Sequence, residues 1–407
     1  MDISVDAPQS LLRHHSFMRF GASRVLSSLA FQGSAIAVGW LVYDKTHSAF
    51  DLGLIGLFQF LPMVVLTFVV GQVADQFDRR RIGLICQLVE AATVSVLAVG
   101  VWQGWLTTNM IFAAVAVLGA AQAFERPTMA ALLPSIVPAS LLQRAIATST
   151  SMMQSALIVG PSLGGVLYGV DPVVPFVVSA VLFLIASLSV IAIKMVASIQ
   201  KREPVTLKSV FAGVAFIRSR PVMLGTISLD LFAVLLGGAT ALLPMFARDI
   251  LHAGPWGLGL LRAAPAIGAL SMSIVLARIP LRNHVGLKMF SAVAVFGVAT
   301  IVFSLSTNIA LSVGALFVLG AADTVSVVIR SSLVQLLTPD AMRGRVNAVN
   351  SLFIGTSNQL GEFESGMLAG LLGPIATGVL GGIGTIAVVV LWLRIFPSLR
   401  KVNTLAG

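Results

Sequence analysis

Charged residues are scarce in this chain: Asp, Glu, Lys and Arg together make up 10% of its 407 residues, where soluble domains carry about a quarter. With 57% of residues hydrophobic and a mean hydropathy of +0.97, a water-facing globule could not hide its own apolar surface. Cysteine is scarcer still. Cys86 stands alone, which excludes an intrachain disulfide and any multi-cysteine metal site. The five histidines, His14, His15, His47, His252 and His284, lie at the ends of apolar runs or outside them. Neither HExxH nor GxxxxGK[ST] occurs, so zinc hydrolysis and direct nucleotide use lack their residues. No metal, no cofactor and no enzymatic activity are expected. The opening MDISVDAPQSLLRHHS has no apolar core followed by a small-residue cleavage site, so the first apolar run is expected to serve as its own insertion signal.

What fills the chain instead is apolar helix. Runs of about twenty apolar residues suffice to cross a bilayer, and windows separated by polar breaks give twelve: 17–43, 51–73, 82–104, 109–131, 144–168, 173–196, 221–246, 254–277, 287–305, 309–333, 346–371 and 374–396. The net charge of +10 would suit nucleic acid only if the basic residues shared a soluble face; they sit between spans instead, so no nucleic-acid partner is expected. Lys and Arg collect in one set of connections: Arg13, Arg79 to Arg81, Arg144, Lys201 to Arg220, Arg278, Arg282, Lys288, Arg343, Arg345, Arg400 and Lys401. The alternate connections hold little beyond Lys45 and Arg248. Positive loops stay in the cytoplasm, which predicts a multi-pass protein of the cell (inner) membrane with both termini cytoplasmic.

The two halves repeat. Shifted by 201 positions, VPASLLQRAIA (137–147) meets LTPDAMRGRVNA (337–348), matching Pro138 with Pro339 and Arg144 with Arg345; GPSLGGVLYG (160–169) meets GEFESGMLAG (361–370), matching three glycines. Each half holds six spans, so both share one orientation. The expected division is an N-terminal six-helix half (1–196), a cytoplasmic linker with an amphipathic helix (197–220) and a C-terminal half (221–407). Two parallel halves rocking about a midplane site describe a transporter.

GQVADQFDRRRI (71–82) resembles the loop signature of the major facilitator superfamily, with Gly71, Asp75, Arg79 and Arg80 at its positions; Gln76 and Asp78 depart from it. The run from Ala37 to Ile82, with RPTMAALLPSIVP and PDAMRGRVNAVN, is similar to the branch of enterobactin exporters and macrolide efflux proteins. The resemblance spans about 17–396. It implies an all-α fold of twelve transmembrane helices, a small amphipathic substrate, siderophore or drug-like, and export by alternating access. It also implies a cytoplasmic latch in which Asp75 meets a helix end of the opposite half, held by Arg79 or Arg80, with Asp78, Arg126, Arg330, Arg343 and Arg345 in the same charged layer. Arg81 is expected to be a topology anchor. GPSLGG, with Gly160, Pro161, Gly164 and Gly165, resembles the superfamily's second signature, which implies close helix packing and exchange of substrate for protons. The chain is expected to act as a monomer in the lipid bilayer.

Charges inside spans are rare and face a bundle interior or a cavity. Asp230, ten residues into its span with no charge near it in sequence, is the first candidate to carry a coupling proton; Glu125, Glu362 and Asp323 are the others. A structural ion pair of Asp230 with Arg24 or Arg262 is the alternative. Asp323 and Arg330, seven apart, share one helix face and suit the second half's gate, while Glu125 and Arg126, toward the cytoplasmic end of their span, suit either a neutralised gate pair or substrate contact. Arg24, Gln32, Arg262 and Gln359 are candidates to line the substrate cavity, Gln359 sharing a side with Glu362. Met152, Met153, Phe58, Phe60 and Trp40 could add an apolar pocket. An importer, or a non-transporting sensor on the same fold, is the other reading.

Overall fold

The computed structural model describes residues 11, 14–138, 141–194, 207–279 and 283–404; at 67–69, 71, 72, 74, 75, 143, 207–210, 239, 340, 341, 343, 344, 348, 351 and 352 the backbone alone is described. Its helices are α1 (His15–Thr46), α2 (Ala49–Gln76), α3 (Arg79–Gln103), α4 (Thr108–Leu132), α5 (Leu142–Val170), α6 (Val174–Ile191), α7 (Leu207–Arg218), α8 (Pro221–Leu236), α9 (Leu243–Met245), α10 (Gly254–Arg278), α11 (Val285–Leu305), α12 (Ile309–Leu337), α13 (Asp340–Leu372), α14 (Pro374–Ile395) and the short α15 (Pro397–Arg400). No strand occurs among the described residues. Within hydrocarbon only a helix or a closed barrel satisfies its own backbone, and the long apolar runs take the helical solution. Their ends are closed by turn residues in short loops: Ser48 caps α2, Asp78 caps α3, Thr107 caps α4 and Asn308 caps α12. Such caps satisfy amide groups that have no helical partner.

Eleven helical stretches among the described residues are long and apolar enough to cross a membrane. The twelfth expected span is α13. Its 33 residues exceed what a crossing needs, and it is the least apolar of the spans, carrying Asn347, Asn350, Asn358 and Gln359 besides Asp340, Arg343, Arg345, Glu362 and Glu364. The seventh span departs from expectation. Read as one helix over 221–246, it stops at Leu236, kinks through Gly237 and Gly238 into a tight turn (Ala239–Leu242), then resumes as α9 and a π-turn (Phe246–Ile250). Both glycines are pressed against neighbours: a Cβ on Gly238 would stand 2.4 Å from the Gly361 carbonyl oxygen, and one on Gly237 2.6 Å from the Phe296 ring. A broken helix at this depth is tolerated where it borders protein and a cavity rather than lipid.

The internal repeat is visible in which helices pack. In the first half α1 lies on α5 and α6, α2 on α4, and α3 on α4 and α6; in the second, α8 lies on α13 and α14, α10 on α12, and α11 on α12 and α14. Every pairing of the first set recurs in the second. The same correspondence relates the two seams between halves, α5 against α10 and α2 against α13. This is the major facilitator fold, two six-helix bundles side by side.

Small residues let the seams close. A Cβ on Gly165 would meet the Pro255 carbonyl oxygen at 2.6 Å, and one on Gly366 would meet Gly53 Cα at 2.4 Å. Arg248 donates to Asp44 at 2.5 Å, Tyr43 donates to Asp249, and Phe50 packs on Phe363. These contacts gather at the end carrying the α1–α2 and α9–α10 loops, so the bundle is shut there. Gly164 serves a different seam, within the first half, where its Cβ would stand 2.6 Å from the Gly33 oxygen of α1. Without directional hydrophobic pressure in lipid, such small-residue contacts set how near two helices come.

The expected linker helix is α7. It does not simply lie on a membrane: Gly213 packs on the Arg345 carbonyl of α13 and Ile217 joins a buried cluster with Met223, Val346 and Val349. Phe211 and Arg218 remain exposed. Residues 197–206 lie outside the described residues.

Candidate functional site

Between the halves lies a cavity of about 390 Å³, lined among others by Gln32, Gln154, Arg262, Asp323, Asn358 and Glu362. Pro161 and the broken span at Gly237 and Gly238 also border it. Both halves therefore contribute polar groups to one space. Arg262 is the principal cation there; its Nε is buried without a hydrogen bond, and Glu362 is the charge that acts on it most. Of Glu362 and Glu364, only Glu362 lines the cavity, as two residues two apart on a helix must diverge. Gln359, expected beside Glu362, is not on the lining. Its place is taken by Asn358, four residues before Glu362 rather than three, and the Gln359 side-chain oxygen is buried unpaired.

A second cavity of about 280 Å³ opens within the first half and shares Gln32 and Leu157 with the first. Arg24, Glu125, Arg126 and Met153 line it. Behind this wall is a buried polar network. Glu125 accepts from Ser27 at 3.0 Å, from Gln87 at 2.8 Å and from Gln122 at 2.9 Å. Gln122 also donates to Glu90 at 2.6 Å and accepts from Arg126 Nε at 2.7 Å. Gln87 donates further to Ser23 at 2.9 Å. Glu125 and Arg126 are thus not the direct pair that adjacency in sequence suggested. Successive residues on a helix point about 100° apart, so Glu125 turns toward α1 and α3 while Arg126 reaches back one turn to Gln122 and lies 5.6 Å from the Phe31 ring. Arg126 belongs to the cavity, not to a charged layer at the helix ends. Arg24 stands over Phe20 at 5.9 Å.

In the second half Asp230 is buried against Arg330 at 3.1 Å, the two side chains 7% and 5% exposed. The partner of Asp230 is neither Arg24 nor Arg262. The two-turn spacing of Asp323 and Arg330 does place both toward α8, but Arg330 is locked inside this half instead of standing at its mouth. Asp323 occupies the position between: it lines the central cavity and, with Asp230 and Ser326, a small cleft behind it.

The 71–82 loop is held from within its own half. Arg79 is buried and donates to the Ala131 carbonyl at the end of α4 at 2.8 Å; Arg80 donates to the Ile193 carbonyl after α6 at 3.0 Å and pairs with Asp78 at 2.8 Å. Two of the three arginines thus tie the loop to the exposed carbonyls that helix ends leave free. Arg345 rests on the Met342 sulfur at 3.6 Å. The Gly71, Asp75 and Arg343 side chains lie outside the described residues. Hydrogen bonds from the Arg80 side chain hold the Asp78 carboxyl below the usual carboxylate range. A lowered folded-state pKa contributes stability above the unfolded value and loses it as pH falls through the folded one. The difference in Tm between the wild type and Asp78→Asn is therefore expected to be full at neutral pH and to shrink below about pH 4; a difference that grows in acid would contradict the pairing.

Gln87, Gln122 and Ser23 were not legible as site residues, unlike Glu90, which stands out as a carboxylate inside the third span. Their signal was present as polar pairs three or four apart in otherwise apolar spans (Ser23 and Ser27, Gln87 and Glu90, Gln122 and Arg126), each marking one helix face. The apolar pocket fares differently: Met153 lines the first-half cavity, whereas Phe58 stacks on Phe112 at 5.1 Å and Trp40 sits in the buried core. Gly160 to Gly164 also spell G-x-S-x-G. That pattern marks a nucleophile only on a strand-to-helix turn, and here it runs through the middle of α5 with Ser162 against Gly259.

A family model described as "Transmembrane secretion effector" matches residues 6–406. The enterobactin exporter EntS of Citrobacter koseri is 24% identical over 409 residues, covering 96% of this chain and 94% of that protein. The multidrug efflux pump Tap of Mycobacterium tuberculosis is 24% identical over 388 residues, covering 91% and 90%. Among solved structures, the nucleoside transporter NupG, in a mutant form, superimposes with a TM-score of 0.75 at 12% identity, over 94% of this chain and 100% of that one. A bacterial homologue of the human lysosomal transporter Spinster, inward-facing and unoccupied, gives 0.73 at 13% identity, over 95% and 97%.

Proposed function

Since the chain belongs to the transmembrane secretion effector family of major facilitator transporters, we propose that it exports a small amphipathic molecule by alternating access, in exchange for protons. It is a multi-pass membrane protein with a small-molecule substrate; direction, coupling ion and substrate class are the reading advanced here. The observation that carries it is the central cavity, which takes charged and amide groups from both halves and lies beneath a seam shut at the α1–α2 end. With both termini in the cytoplasm, as the basic connections predict, the shut end faces outward and the cavity accepts cargo from inside. Both curated relatives named above are exporters, which favours this direction over uptake.

In this reading the substrate sits between Arg24 and Arg126 of the first half and Arg262 of the second, with apolar contact from Met153 and Leu157. The proton enters at Asp323, the cavity-facing carboxyl, and passes to Asp230. Neutralising Asp230 frees Arg330, and the loosened second half reopens the seam. Burial makes the pair a two-state element, since a charged side chain cannot stay unpaired in so apolar a setting. At the other end, Asp75 with Arg79 and Arg80 would close the mouth when the halves tilt the opposite way. The chain works as a monomer, each half supplying what the other lacks.

Accumulation of a panel of fluorescent cationic, neutral and anionic amphiphiles in cells with and without the protein tests direction and class together. Lower accumulation of at least one probe, abolished by a protonophore, is the expected result. Higher accumulation would establish uptake instead.

A further inference from the structure

On the outer side of the first half, away from both cavities, a groove of about 820 Å³ runs between the end of α2 and the faces of α3 and α4. Its walls are apolar: Val73, Phe77, Ile85, Val89, Val117 and Phe124. From Arg81 to Val89 it follows nine residues of α3, about 12 Å of helix rise. This length is too deep for a headgroup and suits a hydrocarbon chain lying along the protein.

The mouth is what gives the groove a preference. Three polar side chains stand there, Gln76, Asp78 and Arg81. Asp78 is committed to Arg80, and Arg80 also to the Ile193 carbonyl. Arg79 is buried on Ala131. Of the three arginines Arg81 alone is exposed, and it makes no hydrogen bond or ion pair among the described residues. A guanidinium at the level where a span begins, above an apolar slot, matches a phosphate joined to an acyl chain.

We propose that the α2–α3–α4 groove holds one anionic phospholipid, its phosphate on Arg81 and one acyl chain along Ile85, Val89 and Val117. The third arginine of the loop, which neither cavity nor helix end employs, thereby acquires a ligand. Because the groove abuts the loop that Arg79 and Arg80 tie down, an occupant there packs against Phe77 and steadies the α2–α3 turn.

Native mass spectrometry of the full-length protein, released from nanodiscs of equal phosphatidylglycerol and phosphatidylcholine, reads the occupant directly. The wild type should retain one lipid, with phosphatidylglycerol favoured about fivefold, the preference one surface cation confers. Arg81→Gln, at an exposed position, should keep a bound lipid and lose the preference. Val89→Trp, which fills the slot from an exposed wall, should lose the retained lipid while Tm in detergent stays near that of the wild type. Glycerol phosphate added in excess should displace nothing, because a headgroup alone lacks the chain. Unchanged phosphatidylglycerol retention in Arg81→Gln, retention undiminished in Val89→Trp, or displacement by glycerol phosphate would each overturn the assignment.

Discussion

Arg330→Met is expected to destabilise the protein by about 3–5 kcal/mol, the cost of leaving a buried charge without its partner. Asp230 and Arg330 meet at 3.1 Å with almost no exposure, and among the described residues no basic side chain lines the small cleft that Asp230 shares with Asp323 and Ser326. A methionine of similar length keeps the volume and removes the charge. Asp230→Asn alone should cost a comparable amount for the mirror-image reason. The double variant Asp230→Asn with Arg330→Met should recover most of the loss, since neither charge is then stranded. Thermal unfolding in detergent of the four proteins gives the cycle. Additive losses in the double variant would show that the two groups do not interact.

That result bears on where the proton is sought. A transport defect in Asp230→Asn would mix lost coupling with lost stability, so it cannot identify the coupling group by itself. Asp323 offers the cleaner test. It faces the central cavity and makes no ion pair among the described residues, so Asp323→Asn should leave Tm within about 1 kcal/mol-equivalent of the wild type, the range of ordinary polar substitutions. Substrate-dependent proton flux in reconstituted vesicles under an imposed pH gradient should nevertheless fall at least about tenfold, as loss of a positioned proton-transfer group does. Full flux in Asp323→Asn would remove Asp323 from the route. Full flux in Glu362→Gln beside it would show that cavity position alone is not enough.

Some of this was legible beforehand and some was not, and the division follows the range of the forces involved. Asp230 and Asp323 could be recognised as functional candidates because a carboxylate in an apolar span is costly wherever it ends up. That Arg330 would be the partner of Asp230 was hidden, since the two are 100 residues apart and on helices whose contact is set by packing. The spacing of Asp323 and Arg330 located the correct face of α12 but not what that face meets. Likewise Arg24 and Gln32 could be picked out on α1 as cavity candidates, yet the network behind them needed Gln87 and Gln122 from α3 and α4. Glu125 and Arg126 misled because adjacency in sequence is separation on a helix.

The sequence by itself determined the class of structure, the number and approximate bounds of the spans, the duplication, and the crowding of glycine at α5, because these depend on local hydropathy, periodicity and side-chain size. The tertiary structure alone decided that the halves close at the α1–α2 end, that Gly164 and Gly165 serve different seams, that the seventh span breaks at Gly237, and that two of three adjacent arginines bond to helix-end carbonyls while the third stays exposed. Those outcomes depend on which helix lies beside which, and in lipid the contacts that choose neighbours are short-ranged packing and hydrogen bonds between residues far apart in the chain.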